Sequence, residues 1–197
     1  MELPELVVAG AAQWRSWLLS NHSTSTGVWL VLAKKGTRFP TELSYDEALE
    51  EAICFGWIDG QLHRRDSATY RRRFTPRGVR SPWSQRSVTL AERLTMAGRM
   101  HRSGDEEIRR ARADGRWDSA YAGQAKSQVP ADLAMALSAN PTAQAMFLTL
   151  TSANRYAILY RLSTTKKEET RAKRIEQFVE MLARGETLHP QRPRSIE

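Results

Sequence analysis

The 197-residue chain has very little sulfur and histidine chemistry to offer. It holds one cysteine, Cys54, which excludes an intramolecular disulfide and any cysteine-cluster zinc site. Its four histidines, His22, His63, His101 and His189, are scattered, and none has metal-ligand spacing to another. Signatures of the GxGxxG, P-loop, HExxH and GxSxG types are missing, as are zinc-finger and helix-turn-helix patterns. Neither a metal nor a cofactor is therefore expected. No apolar run reaches the roughly 18–20 residues of a membrane helix. The opening Met1-Glu2-Leu3-Pro4-Glu5 is acidic where a signal peptide would be basic, and the apolar run Leu6 to Ala12 is short. The expectation is a soluble cytoplasmic protein with no membrane partner. Internal repeats and low-complexity segments are also missing. What is present is an ordinary globular composition, 41% hydrophobic and 26% charged, which excludes wholesale disorder.

The net charge of +8 is unevenly placed. Residues 1–63 carry four basic and eight acidic side chains. Residues 64–86 carry eight arginines and a single acid, Asp66. Arginine suits bidentate recognition of carboxylate or phosphate. It is also this chain's default cation, 24 Arg against six Lys, so internally paired arginines are the plain alternative.

The periodicity predicts an α+β chain. A helix is expected over Ala11 to Asn21, with Trp14, Trp17 and Leu18 on one face. Val28 to Ala33 is a continuous apolar run, read as a buried strand. Ser44 and Glu47 form a capping-box pair that opens a helix whose apolar face is Tyr45, Ala48, Leu49, Ala52 and Ile53. Gly56 ends it. Trp57 to His63 and Tyr70 to Thr75 read as two further strands. Simple alternation puts Trp57, Asp59, Gln61 and His63 on one face, and Tyr70, Arg72 and Phe74 on one face of the next strand. Helices follow near 84–97, 104–114, 130–138, 141–150, 153–163 and 167–184. Asn140-Pro141 is an N-cap with proline at N1, and Gly185 fits the end of the last helix. The face of that helix bearing Lys166, Lys167, Arg171, Lys173 and Arg174 is expected to be an ion-paired surface. The division expected is a sheet domain over 1–82 with a three-stranded, or larger mixed, sheet. A helical region over 83–188 packs against it, and 189–197 form a loose tail.

Candidate chemistry centres on Cys54-Phe55-Gly56-Trp57-Ile58-Asp59-Gly60, where a thiol, an indole and a carboxylate sit at a helix-to-strand turn. Cys54 lies near a helix C-terminus, the end of the dipole that disfavours a thiolate, so a small buried hydrophobe competes with a nucleophile. Asp59 with Glu47 or Glu51 could form an acid/base pair; pairing with an arginine of the neighbouring strand is the structural alternative. Trp83 within an arginine-rich loop could stack a planar anionic ligand, or it could simply fill the core.

Several blocks together resemble the bacterial YdeI/OmpD-associated, or bacteriocin-protection, family. They include Trp17-Leu18, Gly27-Val28-Trp29-Leu30, Lys34-Lys35, Ser44-Tyr45-Asp46-Glu47-Ala48, Cys54 to Gly60 and Arg73-Phe74-Thr75-Pro76-Arg77. Trp83-Ser84, Gly98-Arg99-Met100, Asp114 to Asp118, Val129-Pro130, Asn154-Arg155-Tyr156 and Glu169-Thr170-Arg171 continue the likeness, which runs from about Trp14 to Thr187. The resemblance implies a role in tolerance to bacteriocins or related stress and carries no catalytic residues with it. One departure is Ser87, where relatives typically place Asn. The blocks gather Lys35, Tyr45, Trp57, Asp59, Arg73 and Trp83, which are expected to line a cleft between the sheet and the helical half.

Three functions follow from these residues. In the first, a small molecule or antimicrobial peptide is sequestered in that cleft, with Trp57 and Trp83 as walls and Arg73 and Asp59 as anchors. The second is an enzyme that modifies or rearranges such a molecule through Asp59, Tyr45 or Cys54. The third is a nucleic-acid-binding module built on Arg64 to Arg86.

Overall fold

The computed structural model describes residues 2–123, 127–165 and 167–191. The chain forms two compact units, Met1–Ala120 and Tyr121–Glu197.

The first unit is built on a four-stranded mixed sheet in the order β1-β2-β4-β3. Its elements are β1 (Glu5–Leu6), α1 (Ala11–Asn21), β2 (Val28–Ala33), α2 (Tyr45–Cys54), β3 (Trp57–Arg64), β4 (Thr69–Pro76), α3 (Gln85–Met96) and α4 (Arg102–Ala113). The three expected strands form an antiparallel set, with β4 between β2 and β3. The fourth, β1, is only two residues long and pairs in parallel with β2. Its formation depends on that neighbour, because two residues carry no periodic signal of their own.

Alternation along β2 sends Val28, Leu30 and Leu32 to the face that also carries Phe74, Arg72 and Tyr70 of β4. Trp14 and Leu18 of α1 and Leu49 and Ile53 of α2 pack into the same core. The Trp14 indole N–H donates to the Ala48 carbonyl at 3.1 Å, fixing α1 on α2. Ser44 caps α2, and Glu47 returns to the Ser44 N–H, so the expected capping box is complete. Gly56 follows α2 with φ +73, where a side chain would also run into Glu107 and the Ser103 carbonyl.

The β3–β4 turn is held by Asp66. Its Oδ1 accepts the N–H groups of Ala68 and Thr69, and its Oδ2 accepts the Thr69 hydroxyl. These bonds hold the Asp66 carboxyl down at about 2, the Thr69 hydroxyl contributing most.

The core of this unit takes in Ala91 and Leu94 of α3 and Ile108 and Ala111 of α4. The division therefore falls after Ala120, not at residue 82, because the apolar faces of α3 and α4 are buried with the sheet.

The second unit contains α5 (Ala131–Ser138), α6 (Pro141–Thr149), α7 (Ser152–Ser163) and α8 (Glu168–Ala183). Its own core runs through Leu133, Leu137, Phe147, Ile158, Leu162, Ile175, Phe178 and Leu182. Asn140 caps α6 with Pro141 behind it, and Gly185 takes φ +74 just after α8. On the basic face of α8, Arg171 grips Asp132 of α5 through Nε at 2.6 Å and Nη2 at 3.0 Å. Arg174 instead reaches the Arg161 carbonyl and Thr165; Lys166 lies outside the described residues. The start of the expected loose tail is tied down. Asn154 bonds the backbone of His189 in both directions and also reaches Gln191. Residues 192–197 lie outside the described residues.

Candidate functional site

Three elements of the first unit bring Tyr45, Asp59 and Arg72 together. Tyr45 is the first residue of α2, placed by the Ser44 cap. Asp59 stands opposite Phe74 in the β3–β4 ladder, so the two share the core-side face of the sheet. Past that pair the register shifts: Leu62, not Gln61, stands opposite Arg72. Gly60 and Gln61 together face Arg73, which is a β-bulge. Arg72 therefore shares the face of Asp59, and the polar cluster sits at the edge of the core.

The Tyr45 hydroxyl donates to Asp59 Oδ2 at 3.0 Å, and Arg72 Nη1 donates to the same oxygen at 2.9 Å. Asp59 Oδ1 accepts nothing among the described residues. The guanidinium carbon of Arg72 lies 4.3 Å from the centre of the Tyr45 ring, and that of Arg86 lies 5.2 Å from it. Arg86 in turn pairs with Asp46 at 2.6 Å. Burial pushes the Tyr45 phenol up to about 12, and the Asp59 charge adds to the rise. The ion pair is only partly shielded, with 24% of the Asp59 side chain and 21% of the Arg72 side chain exposed. Arg72 Nε is enclosed and has no acceptor. The result is a fixed carboxylate with one saturated oxygen and one open oxygen, framed by two arginines and an aromatic ring.

The other expected site residues are placed elsewhere. Trp57 is 1% exposed and lies edge-on to Trp14 and Trp17, its indole N–H donating to the His22 carbonyl. Trp83 is also 1% exposed, beneath the Arg77 guanidinium at 3.8 Å and beside Trp117. Both indoles are core, not cleft walls. Arg73 stands opposite Trp29 on the other face of the sheet and is exposed, so the arginine that holds Asp59 is Arg72. The bulge also separates His63 from Asp59: His63 stacks on Trp29 at 4.5 Å on the far face, and Arg71 lies over the same indole. Lys35 is exposed in the turn after β2.

Arg72 falls just outside the Arg73-Phe74-Thr75-Pro76-Arg77 block that carries the resemblance. The signal for it was the shared face of Tyr70, Arg72 and Phe74, which the buried Phe74 turns inward.

The chemistry expected of the remaining candidates is also accounted for. Cys54 is fully buried, and that burial, with Glu51 adding its charge, pushes the thiol up. Glu51 is 5% exposed and receives Arg15 at 2.6 Å on one oxygen and Arg99 at 2.5 Å on the other. Glu47 is consumed in the capping box. Neither glutamate forms a carboxylate pair with Asp59. Ser84, one residue past Trp83, caps α3 by accepting the Ser87 N–H, so Ser87 stands inside the first turn and not at the cap.

Within the arginine-rich segment, Arg65 and Arg71 pair with Glu5, Arg72 with Asp59 and Arg86 with Asp46. Arg64, Arg73 and Arg80 have no ion-pair partner among the described residues. Also among these residues, no three His, Cys, Asp or Glu side chains gather where they could hold a metal ion, and no helix is long and apolar enough to cross a membrane.

Comparison with known proteins divides the chain much as its cores do. Residues 6–107, in the first unit, match a family model described as Domain of unknown function (DUF8412). Residues 126–185, in the second, match the model described as Bacteriocin-protection, YdeI or OmpD-Associated. The resemblance carried by the sequence blocks is thus met over the second unit. No curated protein and no solved structure matches. With more than half of its length matched by the first model, the chain belongs to the DUF8412 family, and residues 126–185 of its second unit are similar to the bacteriocin-protection, YdeI or OmpD-associated model.

Proposed function

We propose that the protein confers tolerance by binding rather than by chemical conversion. On this reading it sequesters a small molecule or peptide that presents N–H or O–H donors to Asp59. The observation that carries the reading is the open Oδ1 of a carboxylate whose Oδ2 is already held by Tyr45 and Arg72. Such an acceptor is pre-organised, so a ligand donor meets it without first ordering it. A hydrogen bond to a charged group contributes about 1.5–3 kcal/mol, roughly one to two decades in affinity. The Tyr45 ring supplies a flat apolar surface beside it.

The same features argue against proton or covalent chemistry. A phenol near 12 is a poor acid or base at neutral pH, and the Cys54 thiol is closed off from solvent. The bacteriocin-protection description of the second unit supplies the protective role. The nucleic-acid reading is weaker, because Arg65, Arg71, Arg72, Arg77 and Arg86 of the arginine-rich segment are engaged internally.

The test is a thermal-shift and calorimetric screen of wild type and Asp59→Asn. The panel holds amine- and hydroxyl-bearing peptide antibiotics, planar aromatics, nucleotides and short DNA. A true ligand raises the melting temperature of wild type by mass action. It should bind Asp59→Asn at least tenfold more weakly, because the amide cannot keep both acceptor positions. A ligand that stabilises both proteins equally overturns the site. A mass change in the bound compound overturns sequestration in favour of an enzyme. A shift from DNA alone, abolished by salt, favours the arginine segment.

A further inference from the structure

The second unit contains an open cavity of about 310 Å³. One side of α7 forms its polar wall. Ser152, Arg155, Tyr156 and Leu159 recur at the spacing of a single helix face. Leu148 and Leu150, from the end of α6 and the following turn, complete the apolar part with Leu159, and Ser127 lies at its border. The volume is at the lower end of the range for small-molecule sites.

Arg155 is the unusual member. Elsewhere in this unit Arg171 pairs with Asp132 and Arg184 with Glu186, and Arg174 makes short bonds to the Arg161 carbonyl at 3.1 Å and the Thr165 hydroxyl at 2.7 Å. Arg155 has no carboxylate partner among the described residues. Its Nε is enclosed without an acceptor. Its Nη2 reaches the carbonyls of Phe147 and Leu148 only at 3.5 Å, the outer limit of a hydrogen bond. The guanidinium lies 5.2 Å from the centre of the Phe147 ring, which orients it without neutralising it. A cation held in a partly apolar cavity with its strongest acceptor missing is an anion site by electrostatics.

We propose that this cavity binds a small amphiphilic oxyanion: a carboxylate on Arg155, with an acyl or aryl body against Leu148, Leu150 and Leu159. Ser152 and Tyr156 provide further hydroxyl donors at the charged end. The Tyr156 hydroxyl is held only loosely, at 3.5 Å from the Ala122 carbonyl, so it is free to turn to a ligand. Burial pushes its phenol up, which keeps the proton in place for donation. This site is separate from Asp59 and asks for the opposite charge, so it stands or falls independently of the proposed function.

The test is calorimetry on the full chain with sodium octanoate, 1-octanol and inorganic phosphate. Octanoate should bind at least tenfold more tightly than either of the other two, because only it uses both walls. Arg155→Gln should weaken octanoate at least tenfold and leave octanol unchanged. Leu148→Trp, at a position 64% exposed, should block the mouth without loading the core; it decides the matter if Arg155→Gln fails to fold. Octanol equal to octanoate overturns the role of the charge. Phosphate equal to octanoate overturns the apolar body. Undiminished octanoate binding in a folded Arg155→Gln, or in Leu148→Trp, overturns the site.

Discussion

Replacing Gly104 by alanine tests the packing that puts α4 in the first unit. An alanine Cβ there would lie 2.2 Å from the Cys54 carbonyl oxygen and 2.8 Å from its carbon. Both are backbone atoms at the end of α2, so no rotamer change relieves the clash. The α4 helix would have to lift by about 1 Å to reach ordinary contact. That movement strains two links between the elements: the His101 N–H to the Cys54 carbonyl, 3.0 Å, and the Ser103 hydroxyl to the Phe55 carbonyl, 3.0 Å. Overpacking of this kind costs about 1–3 kcal/mol, and each weakened bond adds about 0.5–1.5 kcal/mol. The gain in helix propensity from Gly to Ala offsets up to about 1 kcal/mol. The expected net loss is about 1–6 kcal/mol, a fall in melting temperature on the order of 10 °C. Thermal unfolding followed by far-ultraviolet circular dichroism measures it. Gly123→Ala, which meets nothing within 4 Å, is the control. It should change stability by less than about 0.5 kcal/mol. A Gly104→Ala protein that melts at or above wild type would refute the close approach of α4 to Cys54.

Three further outcomes are expected. Cys54, fully buried, should react with a thiol reagent such as Ellman's only as fast as the protein opens; prompt labelling of the folded protein would contradict its burial. Asp66 should titrate near 2 by NMR, and Thr69→Val should bring it back toward the ordinary carboxylate range. Because its folded value is depressed, its stabilising effect is present above about 4 and is lost as pH falls through about 2. His101 should titrate below the usual 6.5, chiefly through burial, with His22 nearby adding to the effect. The unfolded chain therefore binds the proton more readily, and this group's contribution to stability declines as pH drops from 6.5 through its folded value. His22→Gln should raise the His101 value; no change would remove His22 as a cause.

The elements of this fold were legible because their signals are local. The helix over Ala11–Asn21 and the strand over Val28–Ala33 occupy the residues that periodicity predicts. Ser44 with Glu47, Asn140 with Pro141 and Gly185 act within a turn of their own positions, so a single chain segment fixes them. Tertiary structure decided what those elements do together. β1 exists through its pairing with β2. The bulge at Gly60 and Gln61 turned His63 away from Asp59, since one extra residue reverses every later side chain in a strand. Packing took Trp57 and Trp83 into the core and drew α3 and α4 into the first unit.

The candidate site shows the same split. Tyr45 and Asp59 could be picked from the sequence as polar groups in suggestive company. Their union with Arg72 spans α2, β3 and β4 and depends on strand register. Register is a relation between segments, set by which faces find a core, and a single segment does not contain it.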